Sequence, residues 1–581
     1  MIFETENPGC ILDGSLVYKF QVSENRKGGK VKEELEIGYF EKVRRPLTWS
    51  GLPVKEVYGP EDTKDINYER DIGKPGEYPY KRGIHQNMYR GRLWTRREVA
   101  GFGGGAETNE RLRFQIDQGF TGLSIIFDNP GKFGIDADHP FAEHETGKCG
   151  VSLGSIEEMR AMVAGLPLDK ISMAFDEGIH NGLPAIAQYF VVAEEQGIKE
   201  SELRGTIQAD SLHAHVIGCE KAIDPDLTLK FWVDLAEYCT RNVPSWYTLN
   251  CNGYDLRDNG ELTAAQEIAF AFSLAISYFD AAIRRGLDVD EFAPRTGFYF
   301  CSHIDFFEEI AKFRAARKLW AVIMKERYKA KDPRSQMLRF GVHTSGSSLT
   351  PQQIINNVSR TTVEGMAAIL GGVQTLNICA YDEPVAIPTE MSHRTSVRIQ
   401  QILGYEAGLG NTVDPLAGSY FVENLTKRLE DEIMDILDQV EGIGGALQAV
   451  KTGWFLRKIE ESFIKHEGEI SRRERVKVGL NAFTVGEEPP VPGGFTRISS
   501  ETSEKIIEDL ERFKERRDIN KVKKAISELR ADAEKGEKFN LIPGIKESVK
   551  ANATTAEILG TIREAYGLSY DPFEMIESPF K

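Results

Sequence analysis

Asp128, Asp176, Gln208, Asn252, Tyr254, Asp255, His303, His343, Asp382 and Glu383 each stand where a short apolar run gives way abruptly to polar residues. Carboxylates, imidazoles and a phenol are the groups that move protons, hold metals or stabilise charge in an active site. Paired carboxylates among Asp128, Asp176, Asp255 and Glu383 would suit a glycosidase or a metal-assisted lyase. The basic string R-x-x-T-R-R (92–97) would suit a phosphate, because a guanidinium fork grips an anion with paired, charge-assisted hydrogen bonds. By composition alone it also reads as a solvated basic face.

The runs that carry these residues occupy 95–102, 122–128, 171–177, 206–210, 247–255, 297–303, 338–346 and 375–383. Helix-length amphipathic stretches separate them. Strand then helix, repeated eight times, predicts an α/β fold, a (β/α)8 TIM barrel, and such barrels place their chemistry at the C-terminal ends of the strands. The polar residues named above are those ends. Residues 1–45, broken by G-G at 28–29, read as an N-terminal arm or hairpin. The barrel domain is expected over 46–425, with the barrel itself from about Thr95 to beyond Glu383. A helical extension is expected over 426–485, a Pro/Gly-rich linker over 486–497 and a charged helical segment over 498–581.

The bulk composition narrows the function classes. The chain has 581 residues and a net charge of −17, which argues against non-specific nucleic-acid binding. Hydrophobic residues make up 41% and charged residues 28%, and no apolar run approaches the roughly 20 residues of a membrane span. The start, M-I-F-E-T-E-N-P-G, lacks the basic and apolar regions of a signal peptide. The seven cysteines form no C-x-x-C pair, and Cys251, Cys301 and Cys379 fall inside expected strands as buried thiols. A cytoplasmic protein with neither disulfides nor a thiolate metal site is expected.

The stretch Y-P-Y-K-R-G-I-H-Q-N-M-Y-R-G-R-L-W-T-R-R-E-V-A-G-F (78–102) resembles the opening of the methylmalonyl-CoA mutase family, the adenosylcobalamin-dependent acyl-CoA mutases. Further matches follow in the family's order: G-L-S-I-I-F-D (122–128), G-T-I-Q-A-D (205–210), H-T-S-G-S-S-L-T (343–350), N-N-V-S-R-T (356–361), D-E-P-V-A-I-P-T (382–389) and V-D-P-L-A-G-S-Y-F-V-E (413–423). The resemblance spans roughly 45–485, and many ordered motifs make it specific where one would be weak. It implies a (β/α)8 barrel, a coenzyme A tail threaded along the barrel axis, and a radical 1,2-rearrangement of the acyl carbon skeleton. The cofactor carries the hard chemistry while the protein positions it and excludes water.

Residue by residue, the resemblance implies catalytic positions at Tyr254, Asp255 and Gln208. It implies substrate contacts at His85, Met88, Arg92, Thr95, Arg97, Val99, Ile126, Gly218 and Arg295, with Arg92, Thr95 and Arg97 on the coenzyme A tail. It implies cofactor contacts at Phe127, Asn129, Cys149, Ile217, Asp258, His343, Gly346, Glu383, Pro384 and Ile387. Without the family, Tyr254 reads as a packed barrel aromatic and Glu383 as a helix cap or exposed charge.

The departures from the family pattern bear on the substrate. Where methylmalonyl-CoA mutases hold a free carboxylate with a tyrosine and an arginine, this chain has Val99 and Gly218. A carboxylate buried without a partner is penalised by several kcal/mol. His85, His213 and His215 are the nearby replacement cations, and each also reads as a structural histidine. The family has a histidine after its tyrosine; here Asp255 stands there, either protonated or ionised against a polar group of the substrate. Val99 fits the 2-hydroxyisobutyryl-CoA branch, whereas Ile126 stands where that branch has an aspartate. Together Val99, Ile126 and Gly218 suggest an enlarged apolar pocket for a branched or bulky acyl-CoA. A substituted malonyl- or succinyl-CoA, or 2-hydroxyisobutyryl-CoA, is the alternative.

The family's cobalt-ligating D-x-H-x-x-G occurs nowhere in the sequence. The resemblance therefore implies a large subunit that lacks the cobalamin-binding domain, with the arm and charged tail as candidate docking elements. Its partners would be a cobalamin-binding small subunit in a heterotetramer, an acyl-CoA substrate and a G-protein chaperone for cofactor loading. Two rival readings are a TIM-barrel enzyme of another class, active without cobalamin, and a non-catalytic partner that binds coenzyme A without turnover.

Overall fold

The computed structural model describes residues 18–20, 35–37, 47–218, 222–486, 491, 494 and 498–580. Most of the expected arm and linker lies outside the described residues. Within the arm, Tyr18–Phe20 pairs antiparallel with Leu35–Ile37.

Eight parallel strands sit on the eight apolar runs. They are β1 (Thr95–Arg97 and Val99–Ala100), β2 (Leu123–Ile125), β3 (Met173–Phe175), β4 (Gly205–Ile207), β5 (Trp246–Tyr247 and Leu249–Asn252), β6 (Thr296–Ser302), β7 (Phe340–Thr344) and β8 (Thr375–Asn377). β1 and β5 each change neighbours midway. Thr95–Arg97 pairs with β8 and Val99–Ala100 with β2; Trp246–Tyr247 pairs with β4 and Leu249–Asn252 with β6. With β2–β3, β3–β4, β6–β7 and β7–β8 also paired, the strands form two five-stranded parallel sheets, and the chain passes from one sheet to the other within β1 and β5. At the two changeovers, the Glu98 carbonyl accepts from Gln115 Nε2 (3.2 Å) and the Thr248 carbonyl from Trp232 Nε1 (3.0 Å). Neither buried carbonyl is left without a donor.

Strand alternation sorts the side chains. Leu123, Ile125, Met173, Phe175, Ile207, Phe298, Phe300, Val342 and Leu376 are buried in the main hydrophobic core. On β6 the Phe298 ring lies 4.8 Å from Trp320 and 5.2 Å from Phe272, both on covering helices. The alternate positions Ser124, Ala174, Thr206, Gly341 and Thr375 line a cavity instead. Barrel interiors are normally filled by layers of Val, Ile and Leu. Small side chains on five strands leave this axis hollow.

The helices α1 (Gly105–Gln118), α2 (Ile156–Met162), α3 (Ile179–Glu195), α4 (Pro225–Asn242), α5 (Ala264–Arg285), α6 (Phe306–Glu326), α7 (Asn356–Leu370) and α8 (Glu390–Tyr405) follow β1 to β8 in turn. Local sequence sets their ends. Thr263 and Gln266 form a reciprocal capping box at the start of α5, and Gly286, in the left-handed region at φ +99°, stops it.

The charged C-terminal segment folds back on the barrel. α9 (Ser500–Arg516), α10 (Ile519–Ala533), α11 (Ile542–Lys550) and α12 (Thr555–Ala565) bury Ile506, Leu510, Val522, Leu529, Ile545 and Ile558 in the same core. Lys546 on α11 bonds Glu194 on α3 (2.6 Å), and Thr555 donates to the Leu153 carbonyl (3.0 Å). This cover explains why α3 is buried almost all round. The segment read as a docking element thus uses its apolar faces within its own chain. Among the described residues, no helix is long and apolar enough to cross a membrane.

Candidate active site

A cavity of 680 Å³ runs into the barrel from the N-terminal ends of the strands. His85, Met88, Arg92, Thr95, Arg97 and Arg295, all named from the sequence, line it. So do three cations the sequence reading missed: Lys170 before β3, Arg204 before β4 and Arg339 before β7. Arg92, Lys170 and Arg204 have no side-chain partner among the described residues. Arg295 donates to the Pro244 carbonyl (2.6 Å) and lies over the Tyr247 ring (5.6 Å). Asp176 is the sole carboxylate in the lining. On a chain of net charge −17, a mouth this cationic is built for polyanions. The signal was legible: Arg204, Arg295 and Arg339 immediately precede three of the eight strands, and Arg92 and Lys170 lie three residues before two more.

Further in, Arg97 is buried and turned to the barrel wall, donating to Ser172 Oγ (2.6 Å) and the Leu123 carbonyl. Burial lowers its pKa to about 10. Asp176 Oδ2, Tyr299 Oη and both amide atoms of Asn377 are buried, line the cavity and have no hydrogen-bond partner among the described residues. Burial pushes the Asp176 carboxyl up to about 6. Orphaned polar atoms that face a cavity are available to a ligand.

At the C-terminal end, β5 stops at Asn252 and a short helix, Tyr254–Gly260, begins. The sequence reading had carried this strand on to residue 255. The turn presents Tyr254, Asp255 and Asp258, while Arg257 anchors it to Glu267 (3.0 Å) and Glu309 (2.7 Å) in the core. The Tyr254 ring lies 4.8 Å from His343 and 5.7 Å from Tyr299. Asp255 Oδ2 faces His213 Nε2 at 3.1 Å and accepts from Asn252 Nδ2 at 2.5 Å. Burial raises the Asp255 carboxyl, and the bond and charge of His213 more than reverse this, leaving it below its ordinary value. Asp255 is therefore a carboxylate. His213, on the short helix after β4 that also holds His215, is raised against the effect of burial by Asp255 and Asp210. Gln208 is buried at the end of β4.

The positions that the resemblance assigns to the cofactor fall into two groups. Asp258 accepts from Ser345 Oγ (2.7 Å), the Ser347 amide (3.1 Å) and Tyr254 Oη (3.4 Å). A Cβ on Gly346 would stand 3.1 Å from Asp258, 3.7 Å from Glu383 and 3.7 Å from Tyr254. His343, Cys379 and Glu383 converge within 4.8 Å, with His343 Nδ1 3.2 Å from Cys379 Sγ. Burial raises Glu383 and, more strongly, its neighbour Glu98. Pro384 and Ile387, half-buried, follow Glu383. The second group stands after β2 and β4: buried Phe127, Asn129 bonded to Glu145 (2.8 Å), exposed Cys149 and half-buried Ile217.

Val99 and Ile126 are half-buried after the cavity-lining residues of β1 and β2, and neither lines the cavity. Gly218 is exposed, with φ +76°, and a Cβ there would meet no described atom within 4 Å. Asp128 and His303 serve the scaffold. Asp128 accepts from the Gly131 (2.9 Å) and Gly147 (2.8 Å) amides, and the His303 ring lies 4.3 Å from Trp49.

The methylmalonyl-CoA mutase family model matches residues 47–568, most of the chain. The chain belongs to the methylmalonyl-CoA mutase family. It is 37% identical over 554 residues to the 2-hydroxyisobutanoyl-CoA mutase large subunit of Aquincola tertiaricarbonis, covering 94% of this chain and 97% of that one. It is 37% identical over 527 residues to the methylmalonyl-CoA mutase of Rhizobium meliloti (90% and 73%). With the methylmalonyl-CoA mutase large subunit of Streptomyces virginiae it shares 35% over 535 residues (90% and 72%). This mutase is an isomerase, and a glycosidase or lyase reading of its carboxylates is set aside.

Proposed function

We propose that this mutase is the catalytic large subunit of an adenosylcobalamin-dependent acyl-CoA mutase acting on a branched acyl-CoA without a free carboxylate. One observation carries the reading: a single axial cavity has a cationic mouth and an uncharged or acidic inner end. The mouth suits the phosphates of coenzyme A, and the small-residue lining suits its narrow pantetheine arm. Beyond the cavity lining, Val99 stands at the position where the resemblance puts a carboxylate-gripping tyrosine, and exposed Gly218 carries no cation.

The residues at the C-terminal end fit the cofactor. Gly346 leaves a cradle that a side chain would fill, and Glu383, Asp258 and Tyr254 surround it with acceptors and one hydroxyl. Glu383 would hold ribose hydroxyls, and Phe127, Asn129, Cys149, Ile217, His343, Pro384 and Ile387 would border the ring system. When bound, adenosylcobalamin supplies the carbon radical that takes hydrogen from the acyl group. Tyr254, wedged between His343 and Tyr299, keeps water from the reacting carbon, and Gln208 orients the thioester.

A separate cobalamin-binding subunit completes the enzyme. The Aquincola relative, named a large subunit, matches over 97% of its length. Exposed Phe483 and Val485 lie beside the loop after β7, where Gln353 Nε2 bonds the Phe483 carbonyl (2.7 Å). This apolar edge is where we seat the subunit. A heterotetramer, a loading chaperone and a cytoplasmic setting belong to the same proposal.

The test is turnover of isobutyryl-, pivalyl-, 2-hydroxyisobutyryl-, methylmalonyl- and benzylmalonyl-CoA by this chain, a cobalamin-binding subunit and adenosylcobalamin, with products resolved by mass spectrometry. Rearrangement of a monocarboxylic ester with the dicarboxylic esters inert is expected. Turnover of dicarboxylic esters alone would overturn the reading.

A further inference from the structure

We infer that Asp255, set by His213 and Asn252, is a receptor for a hydroxyl group on the acyl moiety, so that the substrate class is a hydroxyacyl-CoA. The inference rests on the mutase reading above and adds to it the group that the acyl pocket recognises.

Three features carry it. The first is position. Asp255 follows Tyr254, whose ring is 5.7 Å from Tyr299 in the cavity lining, and its charge acts on both Asp176 and Tyr299. It stands at the C-terminal end of β5, beyond these lining residues and not itself part of the cavity lining.

The second is valence. Oδ2 is saturated by Asn252 Nδ2 (2.5 Å) and His213 Nε2 (3.1 Å), and the backbone amide of Asp255 is held by Asn252 Oδ1 (2.9 Å). Oδ1 takes no hydrogen bond from any described residue, and the side chain is 32% exposed while its partner His213 is 7% exposed. One oxygen is thus clamped and the other presented. A clamped carboxylate can only accept, so its complement is a donor.

The third is charge. His213 Nδ1 lies against the Asp210 carbonyl, and Nε2 against Asp255 Oδ2 and, at 3.3 Å, Asn252 Nδ2; Asp255 and Asp210 favour the charged imidazole and raise it above its ordinary value. Asp210 is itself fixed by Tyr278 Oη (3.0 Å) and the Asn252 amide (2.9 Å). His213, with Lys132 on the turn after β2, already balances the charge of Asp255. A neutral donor needs no further counter-charge, an ammonium would meet two cations, and a second carboxylate would meet Asp255 and Asp176. A hydroxyl is the group that satisfies all three. This carboxylate lies at a different position from Ile126, so Ile126 does not exclude a hydroxylated substrate.

The test is binding to the full chain without cofactor, by calorimetric titration with coenzyme A, isobutyryl-CoA, 2-hydroxyisobutyryl-CoA and methylmalonyl-CoA. The wild-type chain should bind the hydroxy ester at least about tenfold more tightly than isobutyryl-CoA, the worth of a hydrogen bond to a charged group. In Asp255→Ala and in the near-isosteric Asp255→Asn, that gap should close to about twofold while coenzyme A binds as before. No gap in the wild-type chain overturns the inference and leaves the mutase reading standing. So does a gap that survives Asp255→Ala, or methylmalonyl-CoA binding most tightly of the three esters. If neither coenzyme A nor any ester binds, the mutase reading fails and the inference with it.

Discussion

The two ends of the barrel axis are built on opposite terms. The N-terminal mouth carries Arg92, Lys170, Arg204, Arg295 and Arg339, three of them without a side-chain partner among the described residues, and Asp176, the one carboxylate of the lining, lies further in. The C-terminal end carries Asp255, Asp258 and Glu383, each tied to neighbours by hydrogen bonds or close packing. In the proposed function, Arg92, Lys170 and Arg204 are left for a polyphosphate that arrives with the substrate. The acids at the far end are clamped because chemistry tolerates little displacement: a shift of about 1 Å at a reacting centre costs on the order of 100-fold in rate. On that proposal, binding falls to loose charges and reaction control to fixed ones.

That contrast is breakable. Gly346→Val should have the largest effect, a loss of about 100-fold or more in turnover, because its side chain would fill the cradle among Asp258, Glu383 and Tyr254. Coenzyme A binding, measured by titration, should not change. Joint loss of both would show that the two ends are one mechanical unit and sink the comparison.

Arg204→Ala should raise KM for an acyl-CoA about tenfold, with kcat nearly unchanged and the deficit shrinking at high salt. A change in kcat instead would place Arg204 in the chemistry. The smallest effect sharpens the picture at the middle of the axis. The fold favours the protonated form of Asp176, so the stability it contributes is complete below the ordinary carboxylate range and is lost as pH rises through about 6. Asp176→Asn should therefore raise Tm by about 1–2 °C at pH 8 and by less at pH 5. A loss of Tm at pH 8 would mean that the charge is paired in the fold.

Much of the scaffold was legible because barrel strands are apolar runs with a hard polar stop, a pattern local in the chain. All eight strands overlap the runs read from the sequence, with β4, β5 and β6 each beginning one residue earlier. The mouth was half legible. Arg92 and Arg295 were found, but Lys170, Arg204 and Arg339 lie up to 169 residues apart and share only the property of preceding a strand. Tyr299 and Asn377 were missed because an inward polar residue in a strand looks like any other alternation until the barrel forms. The tail was read as solvated or docking from its charge. Its apolar stripes, three and four residues apart, find their partner on α3, more than 300 residues away.

The sequence by itself determined the fold class, the family and the ends of the strands where chemistry belongs, because periodicity and ordered motifs are properties of neighbours along the chain. Only the tertiary structure decided what Asp255 is. Its ionisation depends on His213 and Asn252, its accessibility on which of its two oxygens they occupy, and its relevance on its charge reaching Tyr299 in the cavity lining. A carboxyl group's charge state is set by the dielectric and the donors around it, and those come from elements that the chain brings together only when the barrel forms.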